Sequence, residues 1–225
     1  MFTGDVWPSL RAVGWACAAG VLGTLALPAF YRALAIGKMG IGAPVTAVLA
    51  AAVPVVAATF TQGLPKLIQV IGLILGLVAL SLISRPEGRT RPEGLGLALF
   101  AGFGFGGFLI CIHLAGNESL FWAMAVALGS SLVLSLIILI VQGGSLPGFA
   151  ALPIAAVAGL LDTCGNLFFV LAARYGRLDA AAILSSLYPG VTVILAWLLL
   201  KERITGLQSV GMGAALIAVP LITRY

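Results

Sequence analysis

Eight long apolar runs follow one another along this chain with only short charged gaps between them, and that pattern constrains the fold more than any single residue does. Their approximate limits are 11–35, 41–61, 66–84, 95–114, 119–142, 149–174, 179–200 and 206–223. A helix needs about 20 apolar residues to cross a hydrocarbon core of roughly 30 Å, and these runs have that length. They are continuous, whereas barrel strands alternate with a period of two, so they read as helices. The gaps hold most of the charges: Arg32 and Lys38, Lys66, the loop Arg85–Arg91, Glu118, Arg174 and Arg177, and Lys201-Glu202-Arg203. No gap is long enough for a soluble domain. The expected fold class is an all-α membrane protein with eight transmembrane helices.

Composition excludes the alternatives. Of 225 residues, 61% are hydrophobic and 8% charged, and the mean hydropathy is +1.17. A soluble protein averages roughly 25% charged residues. A soluble enzyme, a disordered tail and a nucleic-acid binder are therefore ruled out. The net charge of +5 is scattered through the gaps, with no run dense enough to follow a phosphate backbone, so no nucleic-acid partner is expected. The lipid bilayer is the expected partner. Met1–Leu10 has no basic region ahead of the first apolar run, which is too long for a signal peptide. Cys17, Cys111 and Cys164 lie within apolar runs without metal-ligand spacing and read as small buried hydrophobes. No metal and no cofactor are expected.

The chain repeats itself. Residues 12–85 laid over 151–224, at an offset of 139, match at 18 of 74 positions. A composition this rich in Ala, Leu and Gly would give about 8 by chance. The matches include Gly20/Gly159, Thr24/Thr163, Phe30/Phe169, Gly37/Gly176, Gln69/Gln208, Gly72/Gly211 and Arg85/Arg224. The three helices before residue 85 recur as the last three. The second unit has two further helices in front, so it has five. Two consecutive five-helix units insert with opposite orientation, which is the inverted-repeat architecture of secondary transporters, with a substrate site near the midplane between the halves. The expected domains are a first unit at 1–84, a linker at 85–93 and a second unit at 94–225. The offset would place the start of the first unit about 45 residues before Met1, so that unit is short by two helices. Either the start site is placed too late or the chain is an eight-helix variant. Met1–Val6 reads like the tail of a preceding loop, which favours the former.

The ends of both units carry a motif. The stretch Ile183–Gly211 holds a helix with Pro189, the turn Lys201-Glu202-Arg203-Ile204-Thr205 and a helix opening on Gln208 and Gly211. It resembles the EamA repeat of the drug/metabolite transporter superfamily. In the first copy Pro44, Pro54, Pro65, Gln69 and Gly72 fit the same pattern, while Gly63 stands opposite Glu202. The resemblance spans the whole chain. It implies ten helices in two units, a bacterial-type inner membrane, a cytoplasmic C-terminus and transport of small metabolites, often outward. This chain departs from it in having eight helices and no acid in the first turn. The turn has a physical reading too: Glu202 lies near the positive end of the next helix, and the Thr205 hydroxyl can cap it.

Asp162 is the outlier among the apolar runs. A carboxylate near the middle of a span costs at least about 2.5–3.5 kcal/mol on insertion scales and is functional by default. Asn166 shares its helix face at i+4, and Thr163 is adjacent. These three form a candidate substrate or proton site; the structural alternative is an Asp bonded to a hydroxyl on a neighbouring helix. Ser185, Ser186 and Tyr188 precede Pro189, which frees a carbonyl and bends its helix, and bent helices near the midplane can present backbone groups to a substrate. His113, the one histidine, could relay protons, but a lone histidine at a span end is more often structural. Trp7, Trp15 and Trp122 sit where interfacial belts form. Arg32 reads as a snorkelling anchor. Gly102 and Gly106 form a small-xxx-small pair suited to a close helix crossing.

No catalytic set accompanies these residues. There is no Ser/His/Asp combination, no metal cluster and no phosphate loop, so an enzyme is not expected. The expected function is a secondary transporter of small metabolites or drugs working by alternating access, with a small-molecule substrate. The alternative is a truncated, non-transporting membrane scaffold that forms homodimers through its Gly-rich helices. With eight spans both ends share one side. That side carries Arg11, Lys66, Arg174, Arg177 and Arg224, and the other carries seven basic residues, so charge bias alone does not orient the chain.

Overall fold

The computed structural model describes residues 7–36, 39–83, 94–143, 148, 152–186, 198 and 206–222. Among these, all regular structure is helical. In chain order the helices are α1 (Leu10–Ile36), α2 (Met39–Thr61), α3 (Leu67–Ile83), α4 (Leu95–Gly116), α5 (Leu120–Val141), α6 (Leu152–Tyr175), α7 (Leu178–Ser186) and α8 (Gly206–Ile222). Four of them, α1, α4, α5 and α6, are long and apolar enough to cross a membrane. The limits expected from the apolar runs fall within a few residues of these ends. The later part of the run 179–200 and the turn Lys201–Thr205 lie outside the described residues.

The described helical segments follow the internal repeat. Ile36 and Tyr175 are the last described helical residues of α1 and α6, Met39 and Leu178 the first of α2 and α7, and the described parts of α3 and α8 run over Leu67–Ile83 and Gly206–Ile222. Each of these pairs is 139 residues apart. The repeated letters therefore encode repeated helices. The counterparts α3 and α8 pack along one another. They bury equivalent small residues, Gly72 with Gly211 and Ala79 with Ala218.

Glycine decides how α4 sits. Its Gly102 and Gly106 face α2, where an added methyl would lie 2.6 Å from Leu49 Cβ and 2.6 Å from Val53 Cβ. Gly104 faces α1 instead, where a methyl would lie 2.8 Å from Ala26 Cβ. So the dense glycine stretch lets α4 lodge between two helices at once, with no Cβ to hold either away. Thr46 Oγ1 of α2 donates to the Ala98 carbonyl of α4 at 2.9 Å, buried, at the head of the same stripe. Phe30 of α1 meets Phe105 of α4 edge to face, with ring centroids 6.1 Å apart.

Two apolar clusters result. One joins α1, α2, α4, α5, α6 and α7 around Ala19, Ala58, Ile112, Met124, Val170 and Leu178. The other joins α2, α3, α7 and α8 around Ala51, Leu80, Ile183 and Ala218. The outward faces remain apolar, as on α5 at Leu132, Val133, Leu136 and Ile140. Side chains of this kind suit lipid, where the bilayer replaces water as solvent.

The turn ahead of α5 is tied to the start of α1. Ser9 donates its backbone N–H to Glu118 Oε2 at 2.8 Å and its hydroxyl to Glu118 Oε1 at 2.7 Å. The Ser9 hydroxyl also accepts from Ala12 N–H at 3.2 Å, capping α1. These bonds from Ser9 hold the Glu118 carboxyl below its ordinary range. Beside them the rings of Trp7 and Trp122 meet at a tilt of 60° with centroids 4.5 Å apart, so two of the expected belt residues touch.

Candidate functional site

The polar part of α6 begins at Gly159. Thr163 Oγ1 donates to the Gly159 carbonyl at 2.7 Å, and Asn166 Nδ2 donates to Asp162 Oδ2 at 3.1 Å. Offsets of three, four and seven residues bring Gly159, Asp162, Thr163 and Asn166 to one side of the helix. Asp162 is exposed, and among the described residues its hydrogen-bond partner is Asn166. Among the described residues a methyl at Gly159 or at Gly165 would meet nothing within 4 Å.

The repeat makes that openness informative. On α1, Thr24 Oγ1 donates to the Gly20 carbonyl at 2.7 Å, the same bond as in α6. There, however, α5 crosses directly over the glycine, and a methyl at Gly20 would fall on Ser130 Oγ and the Ala127 carbonyl. Ser131 Oγ adds a bond to the Gly20 carbonyl at 3.0 Å. Ala16 and Ala19 are buried on α1, while their identical counterparts Ala155 and Ala158 are exposed on α6. Asp162 occupies the position of Gly23, which on α1 packs against Phe108 of α4. The shared Ala and Gly positions are thus covered on α1 and open on α6, where Asp162 and Asn166 replace Gly23 and Leu27. A carboxyl and a carboxamide on an open face can accept a proton, bind an ammonium or bind a hydroxyl.

The other candidates are dispersed. Ser185 is exposed at the end of α7. The Ser186 side chain and Tyr188 lie outside the described residues, as do Pro189 and Glu202. His113 is on α4 and is only 8% exposed. It lies three residues before the end of α4 at Gly116, where the neighbouring helices bury it. Among the described residues its Nδ1 has no hydrogen-bond partner. A groove of about 440 Å³ runs along α3 beside Ile74, Leu77, Val78, Ser81 and Leu82, with no charged side chain among the described residues of its wall. Among the described residues no three His, Cys, Asp or Glu side chains converge as metal ligands.

Sequence reasoning passed over Arg177 and Asp179. Arg177 Nε bonds both Asp179 carboxylate oxygens at 3.1 and 3.2 Å, and Nη2 bonds Oδ2 at 3.0 Å. Asp179 is 1% exposed and Arg177 17%. The signal available was an acid in the first turn of an apolar helix with an arginine two residues before it.

A family model described as "EamA-like transporter family" matches residues 92–224, more than half of the chain. Among curated proteins none matches. A solved structure titled only "Crystal structure of protein" is similar at a TM-score of 0.70 and 17% identity, covering 98% of this chain and 88% of that one. At that identity the likeness concerns the fold alone.

Proposed function

This chain belongs to the EamA-like transporter family, and we propose that it is a secondary transporter carrying small metabolites or drugs across the cytoplasmic membrane by alternating access. The observation that carries the reading is the Asp162–Asn166 pair on the open face of α6. A carboxyl at that depth is costly against lipid, so it belongs in a solvated cavity or under a partner. In a cavity it supplies a site that can exchange a proton or a cation-bearing solute as each side opens. Thr163 keeps its hydroxyl on the helix backbone and shapes the site without offering a free donor. Ser185, Ser186 and Tyr188 are proposed as the facing wall.

The two units are proposed to be inverted repeats that rock against each other, with α1–α3 in one and α4–α8 in the other. The packing of α3 on its counterpart α8 is the contact expected near a pseudo-two-fold axis. Export, a cytoplasmic C-terminus and an inner-membrane location go with the family reading.

One observation favours a second reading. The α6 face is open along Ala155, Ala158, Gly159 and Asp162, so one side of the site has no wall among the described residues. A non-transporting scaffold that pairs with a second copy through this face would also cover Asp162.

Flux in proteoliposomes tests the choice, with Asp162→Asn beside the parent and with or without an imposed pH gradient. Flux that the substitution abolishes supports the carrier. A covalent dimer formed through cysteines placed on α6, without flux, supports the scaffold.

A further inference from the structure

The two halves of the chain are joined by polar bonds at one end of the bundle. Leu178 N–H donates to Gln62 Oε1 at 3.0 Å, and Arg177 Nη2 donates to the Gly63 carbonyl at 3.0 Å. Gln62 and Gly63 follow α2, and Arg177 and Leu178 lie at the α6–α7 junction, so both bonds span more than 110 residues of sequence. Asp179 grips the guanidinium through Nε and Nη2 and sets its direction. Asp179 also lies in the first turn of α7, where the helix end favours a carboxylate. Gly63 has φ +76°, a left-handed conformation that a side chain would strain, and this turn presents its carbonyl to Arg177. One turn back on α2, Ala58 is fully buried in the cluster that includes Leu178, Ala181 and Ala182.

We propose that this cluster is a latch that closes the α2–α7 seam on one side of the membrane. Opening to that side breaks the Gln62–Leu178 and Gly63–Arg177 bonds, which join the halves. The Arg177–Asp179 pair stays within its own half and keeps the guanidinium aimed for reclosure. The bonds are suited to this use. They cap an apolar layer without crossing it, and each can pass to water as the seam parts. The latch rests on the alternating-access reading, and its test does not need flux.

A single reporter cysteine, Ala58→Cys, is placed in a chain whose Cys17, Cys111 and Cys164 are alanine. Its reaction with a membrane-impermeant maleimide is timed in proteoliposomes. Gln62→Met removes one inter-half bond at nearly constant shape, and Arg177→Ala removes the other. Each should raise the labelling rate on the order of tenfold over the parent reporter. A rate unchanged in both variants, with melting temperatures showing that both are folded, overturns the latch. Faster labelling in a chain that moves no solute keeps the seam as a latch and removes the carrier reading. Flux with labelling unmoved does the reverse.

Discussion

Thr24 and Thr163, 139 residues apart, make the same hydrogen bond, each donating its hydroxyl at 2.7 Å to the carbonyl of a glycine four residues back. What surrounds them is not the same. Gly20 lies under α5, whereas among the described residues nothing covers Gly159. The repeat therefore conserves local helix geometry and differs in what covers it, and the difference exposes Asp162.

The first prediction separates these two glycines. Gly20→Ala places a methyl on Ser130 and Ala127 and should cost about 1–3 kcal/mol by overpacking. Gly159→Ala meets nothing and should be neutral or stabilising by up to about 1 kcal/mol, the helix-propensity gain. Thermal unfolding in detergent compares them. Equal losses would mean that α6 is covered as α1 is.

A second prediction concerns pH. Glu118 has its carboxyl lowered chiefly by the Ser9 hydroxyl bond, then by the Ser9 backbone bond. A lowered folded pKa stabilises above the unfolded value, and that contribution is lost as pH falls through the folded value. Ser9→Ala removes the hydroxyl bond but keeps the backbone N–H bond, so it should bring Glu118 part of the way back toward the ordinary range and shift loss of the α1–α5 tie to higher pH. Carboxyl carbon NMR of Glu118 measures this, and an unmoved titration would refute the assignment of cause.

The third is a stability effect. Asp179→Ala leaves the Arg177 guanidinium without its ion-pair partner at a site where the carboxylate is fully buried. Breaking such a pair costs about 3–5 kcal/mol, with the lower end expected because Arg177 keeps some contact with solvent. Chemical denaturation in mixed micelles should show the drop. Asp179→Asn, which can still accept one hydrogen bond, should lose less.

Much of the fold was legible in the sequence, for physical reasons. A continuous apolar run bounded by charges leaves a helix little choice of ends, so α3 and α8 fall at their expected places. The glycines of α4 announced a close crossing, though not that Gly104 would serve α1 while Gly102 and Gly106 serve α2. Asp162 and Asn166 stood out because a carboxylate is rare in an apolar run, and their mutual bond follows from their spacing. The contacts that were not legible are long in sequence. Ser9 to Glu118 and Gln62 to Leu178 each span more than 100 residues, and no local pattern encodes such a meeting. The burial of His113 was not legible for a related reason, since burial near a helix end depends on neighbouring helices.

The most direct measurement of the central claim is solute flux in proteoliposomes holding this 225-residue chain, with amino acids, purines and small amphipathic drugs as the panel. The carrier account predicts flux of at least one solute that responds to a pH gradient and is abolished by Asp162→Asn. Flux that is the same in parent and variant would contradict the placement of the site on α6.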